Sequence, residues 1–209
     1  MTSLIFLWVF PLRVKSDVFE AFSNFRAYVV NQFKTDIQSL QCDNSREFNN
    51  TNLPTLFQKH GIKICSSCLY TSQQNGKAER AIRTINNIMR TLLFQAFLLP
   101  NFWAEALNMS IHLINLLPTT TLSFKSPCEI LYGTLPTFTH LRVFGCLCYP
   151  NLSSTDPHKL STRSTACVYL GPSANHRGHR WRVKCLASRS CYLAIARSMK
   201  DGNTMYAKA

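Results

Sequence analysis

Two carboxylates occupy positions from which this chain could perform phosphodiester chemistry. Asp43 directly follows a short run expected to form a buried strand, and open α/β sheets hold their sites beyond such strand ends. Glu79 lies in the first turn of a long expected helix, and 35 residues separate the two acids. Two carboxylates that meet in a fold bind divalent metal ions, which activate a water or hydroxyl for in-line attack. The ordinary alternatives are a turn at Asp43 and a helix-dipole contact at Glu79.

The elements that would position these acids form an alternating α/β pattern. A continuous apolar run predicts a strand covered on both faces at residues 4–10. A helix with Ser16 as its N-cap is predicted to extend to Phe33, because its apolar residues recur every three or four positions. Further strands are predicted over residues 37–42 and 62–66, and further helices over residues 51–60, 77–97 and 102–117.

The second half of the chain changes character. A serine cap followed by proline predicts a short helix from Ser126. Beyond about Pro136 the apolar runs become short, at residues 141–149, 166–171, 181–186 and 191–195, which is typical of a small all-β unit.

The apolar stripe of the helix over residues 77–97 is predicted to be Ala78, Ile82, Ile85, Met89, Leu92 and Ala96.

Composition favours a polyanionic partner. The 209 residues contain 23 Lys and Arg against 10 Asp and Glu, a net charge of +13, and hydrophobic residues make up 46%. This hydrophobic content excludes wholesale disorder, and the basic excess points to nucleic acid. The excess is uneven, since residues 157–209 carry +9 and residues 1–156 carry +4.

The cysteines and the first residues of the chain indicate in which cellular compartment the protein is expected. Nine irregularly spaced cysteines do not form a disulfide framework in a chain of this length, so reduced thiols in an intracellular compartment are expected. Cys65 and Cys68 have metal-like spacing, but no second pair follows, and no zinc is expected. The apolar residues at the start are too few to span a membrane, and their positive charges follow rather than precede them, unlike a signal peptide.

Two segments resemble the integrases of copia-type retrotransposons. The segment from Leu40 to Phe48, which contains Asp43-Asn44, is similar to their "SDNGGEF" segment, and Tyr70 to Arg80 resembles "YTPQQNGVAER". The 35-residue gap matches the spacing between the second and third acids of the D,D-35-E triad. Downstream, residues 140–146 and 164–171 resemble the segments that follow the core in copia-type polyproteins, and the resemblance covers about residues 5–180.

The resemblance implies a fold and a domain organisation. Residues 1–134 would be a partial ribonuclease H-like integrase catalytic core with trailing helices. Residues 135–209 would be a small β-rich unit, similar to a Src-homology-type barrel, with a basic tail. The fold class is thus expected to be α/β, with the core lacking its first strands, as in an N-terminally truncated fragment of a Gag-Pol polyprotein.

The resemblance also implies site residues and partners. Asp43 and Glu79 would be the second and third catalytic acids and would hold Mg²⁺ or Mn²⁺. DNA would be the partner, with a homo-oligomer also implied and neither a membrane nor a small-molecule substrate; the expected location is the nucleus. The resemblance implies a mobile loop near the DNA, just before the long helix. The residues implied to contact DNA lie in this loop and in the helix after it: Asn75, Gly76, Lys77, Arg80, Arg83 and Arg90. The three arginines could equally form a solvated helix face.

The departures from the family pattern leave the enzyme assignment open. The family's first acid lies upstream of the segment that Trp8 to Arg13 resembles, so no residue matches it, and neither Asp17 nor Asp36 is a replacement. The two glycines after the family's Asp-Asn are Ser45 and Arg46, and its proline is Ser72. We therefore expect a chain related to DNA integration but inactive alone. The alternatives are a non-catalytic, basic nucleic-acid-binding relic and a pseudogene product.

Overall fold

The computed structural model describes residues 6–42, 52–66, 76–151, 164–173 and 178–183. Its helices are α1 (Val18–Phe33), α2 (Asn52–Lys59), α3 (Gly76–Gln95), α4 (Trp103–Leu116) and α5 (Pro127–Tyr132). Its strands are β1 (Ser39–Cys42), β2 (Lys63–Ser66), β3 (Leu147–Cys148), β4 (Cys167–Pro172) and β5 (His179–Val183). The chain is thus of mixed α/β type, as predicted. The predicted strand over residues 191–195 lies outside the described residues.

The chain divides into two compact units, and the division falls within α3. Among the described residues, the first unit holds residues 8–84, and the second unit holds residues 6–7 and 85–183. The predicted boundary between residues 134 and 135 remains a prediction. No helix among the described residues is both long enough and apolar enough to cross a bilayer.

The first unit is built around a two-stranded parallel sheet. Its buried core consists of Leu53 and Phe57 on α2 and Ile62 just before β2. Phe22 on α1 packs edge-to-face on Phe57 with ring centroids 5.2 Å apart, so the apolar stripe of α1 faces this core. The N-cap of α1 is Asp17 rather than the predicted Ser16, because a single 3₁₀ turn, Lys15–Asp17, precedes the helix.

The apolar run at the start of the chain does not form the predicted strand over its described residues. Residues 6–9 have no strand structure, and Phe10 forms only an isolated bridge. The backbone of Leu7 instead bonds to the buried side chain of Asn115 on α4, which accepts from the Leu7 N–H at 3.0 Å and donates to its carbonyl at 2.8 Å. The amide thereby satisfies the backbone groups that a neighbouring strand would otherwise pair.

The second unit packs helices on a small antiparallel sheet. Strand β4 lies between β3 and β5. The core contains buried side chains from α4, from the sheet and from the segments that precede them in the chain. Met89, Leu92, Leu93 and Ala96 on and just after α3 pack against this core. Its buried members are Phe102, Ala106, Met109, Phe144 and Leu170. The predicted strand over residues 166–171 is confirmed as β4, whereas β3 is much shorter than the predicted run over residues 141–149. The predicted small β-rich unit as a whole remains a prediction.

Two local predictions have opposite outcomes. The cap at Ser126 is confirmed, since its hydroxyl oxygen accepts from the Glu129 N–H at 3.0 Å and Pro127 begins α5. The apolar stripe of α3 is only partly buried: Ile85 is buried, but Ala78 and Ile82 are exposed. Periodicity marks one face of a helix but does not determine what lies opposite each turn.

His112 on α4 makes the stability of the fold depend on pH. Burial lowers the pKa of this imidazole below its usual 6.5, because desolvation penalises the charged form. The unfolded chain therefore binds the proton more readily, and His112 destabilises the fold as the pH falls through 6.5. We expect the free energy of unfolding, measured with urea, to fall between about pH 7.5 and about pH 5.5 more in the natural chain than in His112→Gln. An equal fall in both proteins would contradict this role.

Candidate active site

The two strands of the first unit each precede, in the chain, a segment that leads to a predicted acid. Strands β1 and β2 are parallel, with Ser39 opposite Lys63 and Cys42 opposite Ser66. Their carboxyl ends therefore lie at the same edge of the sheet. Asp43 follows the last residue of β1 in the chain, and the segment after β2 leads to α3. Open α/β sheets hold their sites beyond the carboxyl ends of such strands.

Glu79 lies in the first turn of α3. Its side chain is exposed, and it forms no ion pair or hydrogen bond within the described part of the chain. Carboxylate oxygens that are exposed and unengaged within the described ranges are suitable ligands for a hard cation such as Mg²⁺. The helix N-terminus also favours negative charge at this position.

The other predicted acid, Asp43, lies outside the described residues, as does Asn75. Within the described ranges, no group of three or more His, Cys, Asp or Glu side chains is arranged to hold a metal ion. The Asp43 and Glu79 pair therefore remains a prediction. The six cysteines in the described ranges, Cys65 among them, are all free thiols.

The predicted DNA-contacting cations share helix α3. Gly76 and Lys77 begin it, and Arg80, Arg83 and Arg90 follow, all three with exposed side chains. None of these arginines forms an ion pair with a described residue. Since no carboxylate neutralises them there, their charges face solvent and can attract phosphate.

Two further aspartates of the first unit are engaged in local structure. Asp36 accepts from the Arg26 Nε at 2.9 Å and from the Ile37 N–H at 2.7 Å, and a second guanidinium nitrogen completes the ion pair. These hydrogen bonds, with that to Arg26 the strongest influence, hold the pKa of Asp36 below its usual value. Asp17 accepts from the backbone N–H of Val14 at 3.4 Å. Both carboxylates thus have local partners, Arg26 and Ile37 for Asp36 and Val14 for Asp17.

Sequence reasoning missed one surface feature of α3. Its later turns carry an open, shallow groove of about 580 Å³, whose described lining residues are Asn87, Arg90, Thr91, Phe94 and Gln95. Phe94 lies off the apolar stripe that Leu92 and Ala96 continue, one turn after Arg90. An aromatic residue off the stripe and beside a cation is the signal that could have indicated this groove.

The chain is similar in sequence to transposon polyproteins. It is 37% identical over 195 residues to the retrovirus-related Pol polyprotein from transposon RE1 of Arabidopsis thaliana, covering 93% of this chain and 13% of the relative. It is 38% identical to the corresponding polyprotein from transposon RE2 of the same plant, covering 80% of this chain and 11% of the relative. The chain thus spans only about a ninth to an eighth of the length of these relatives. A scan against protein-family models found no match.

Among solved structures, the chain is similar to the HTLV-2 integrase catalytic core domain in complex with magnesium, in its trimeric form. The identity is 20%, the TM-score is 0.42, and the match covers 56% of this chain and 70% of that one. The sequence relatives carry the family assignment. The resemblance indicated by the two motifs is confirmed, and the chain belongs to the retrovirus-related Pol polyproteins of copia-type transposons.

Proposed function

We propose that the chain is part of the integrase catalytic core of a copia-type retrotransposon polyprotein, with a ribonuclease H-like fold that acts on DNA. The observation that carries this proposal is the arrangement around the parallel pair β1 and β2. Asp43 follows β1 in the chain, and Glu79 lies in the first turn of the helix that follows β2. Homology to transposon Pol polyproteins over 93% of the chain supports the same assignment.

Asp43 and Glu79 would hold Mg²⁺ or Mn²⁺ between them. The fit is chemical, since Glu79 offers exposed carboxylate oxygens that are unengaged within the described residues. When bound, such ions polarise a phosphodiester and activate the attacking hydroxyl. The task of the two carboxylates is to fix the ions relative to the DNA, with the first turn of α3 supplying a rigid support for Glu79.

The catalytic triad of the family is incomplete in this sequence. No residue matches the first acid, and Asp36 and Asp17 are engaged in local structure in the first unit. This sequence would supply two of the family's three metal-binding acids, Asp43 and Glu79, and strand transfer would need a third. A second candidate function follows from the same observation together with the charge of +13: non-catalytic binding of nucleic acid.

DNA binding would use the cationic side of α3. Asn75, Gly76 and Lys77 would meet the DNA near the acids, and Arg80, Arg83 and Arg90 would contact phosphates along the helix. This partner implies action in the nucleus, and the resemblance to integrases adds a possible homo-oligomer. Zinc has no part in the proposal.

Replacing Arg83 by glutamine tests the DNA contact. Loss of one phosphate contact should weaken duplex binding and reduce the slope of log affinity against log salt by about 0.9. Fluorescence anisotropy of a labelled duplex between about 50 and about 200 mM salt measures both quantities. The matched control is Arg13→Gln, which removes an exposed arginine of the same unit outside α3. Equal effects of the two substitutions would contradict a specific role for α3.

A further inference from the structure

We propose that the end of α3 is a stacking surface for unpaired nucleobases, formed by Phe94 and Phe97 together with the cation of Arg90. We call these three residues the α3 stacking surface. The inference rests on the proposed function in taking nucleic acid as the ligand. It goes beyond the proposed function because it assigns a further ligand, single-stranded nucleic acid, to residues other than the two acids and the first residues of α3.

Phe94 has a nearly free ring on a charged helix. Its side chain is 79% exposed and lines the groove with Arg90, one helical turn earlier. The groove also contains the amides of Asn87 and Gln95, whose planar donors and acceptors suit the edges of bases. The Thr91 hydroxyl donates to the Asn87 carbonyl at 2.9 Å, so its proton is already used within the helix.

Phe97 is exposed at a position that normally favours glycine. It lies two residues after the last residue of α3 with a φ of 50°, and the residue is 96% exposed. The Leu98 N–H donates to the Leu93 carbonyl at 3.0 Å and the Phe97 N–H to the Phe94 carbonyl at 3.1 Å, which is the pattern of a Schellman helix ending. A phenylalanine there carries backbone strain without gaining burial. Neither the helix ending nor the core accounts for the ring, so we assign it to an external ligand.

Charge identifies that ligand as nucleic acid. Residues 80–104 contain no Asp or Glu but include Arg80, Arg83 and Arg90. Arg90 forms no ion pair with any residue in the described ranges. A second copy of a chain with a net charge of +13 would bring like charge toward this helix, whereas single-stranded nucleic acid brings phosphates for the cation and base faces for the rings. Exposed aromatic rings beside cations are the recurring composition of single-strand binding surfaces.

The test compares single-stranded and duplex binding by the full chain. Anisotropy of labelled oligothymidine should show roughly tenfold weaker binding by Phe94→Leu, which keeps apolar bulk but removes the aromatic face. Phe94→Trp should retain the affinity. Phe97→Gly should also weaken single-strand binding, although it relieves the left-handed backbone and so should not lower the stability of the fold. Duplex affinity should change little in all three variants.

Each contrary outcome has a distinct meaning. Natural affinity for oligothymidine in both Phe94→Leu and Phe97→Gly would overturn the proposal. If those variants keep the affinity but lower the molar mass measured by light scattering, the surface joins copies of the chain instead. If the natural chain binds no DNA, this proposal and the proposed function both fail. If the Phe variants lose single-strand binding while Arg83→Gln leaves duplex binding unchanged, the stacking surface stands and the proposed contact of α3 with duplex fails.

Discussion

Glu79→Gln should weaken the binding of Mn²⁺ to this chain by on the order of tenfold or more, since it replaces a metal-binding carboxylate with a neutral amide. The exposed position of Glu79 in the first turn of α3 means that the substitution removes charge without disturbing a buried contact. Isothermal titration with Mn²⁺ measures the effect. Any Mn²⁺-dependent disintegration of a branched DNA should be lost in the same variant, because charge stabilisation of the transition state falls with the ligand.

The matched control for this experiment is Glu20→Gln. Glu20 is also an exposed glutamate in the first turn of a helix, α1, and it belongs to the same unit. Both substitutions change the net charge equally and remove the same favourable helix-dipole contact. Mn²⁺ binding that is equally weakened by both would reflect general charge, and unchanged binding in Glu79→Gln would reject the assigned site.

Gly145→Ala should destabilise the second unit by about 3 kcal/mol, which combines overpacking with a strained backbone. Gly145 has a φ of 81°, and a Cβ added to it would overlap the Cβ of Ala96 and lie 3.1 Å from the Ala96 Cα. Neither of these two Ala96 atoms is the flexible end of a long side chain, so the overlap can be relieved only by moving the backbone. Such a loss is a large part of the 5–15 kcal/mol that holds a typical domain folded. Chemical denaturation followed by circular dichroism measures it.

Two further variants separate the causes of this effect. Gly133→Ala introduces the same strain at a φ of 69° but meets no atom within 4 Å, so it should cost only about 1 kcal/mol. Adding Ala96→Gly to Gly145→Ala removes the side-chain overlap and should restore part of the lost stability, as a double-mutant cycle would show. Equal costs at Gly145 and Gly133 would mean that the contact with Ala96 is unimportant.

Homology and local signals could be read from the sequence because they depend on residues close together in the chain. The two motifs with their 35-residue spacing identified the family before any fold was known. The cap at Ser126 could be predicted because the Glu129 N–H that its hydroxyl accepts from is only three residues away. Helix α3 followed from its apolar period, and Glu79 was thereby expected in the first turn where it is found.

Features that depend on distant neighbours could not be predicted in this way. The run at residues 6–9 has the composition of a buried strand, yet the backbone of Leu7 bonds to the amide of Asn115, 108 residues later. Ile82 and Ile85 lie on the same predicted stripe, but only Ile85 is buried. Hydrophobic periodicity reports which face is apolar, while burial requires a second element against that face.

The sequence by itself determined the family, the basic character and the candidate acids of this protein, because motif identity and charge are properties of the residues themselves. Only the tertiary structure decided which turns of α3 are covered, why Gly145 must remain small against Ala96, and where Phe94 and Phe97 remain exposed. Whether a side chain is covered or exposed depends on which distant segments of the chain pack against it. A local pattern of residue types contains no information about that packing.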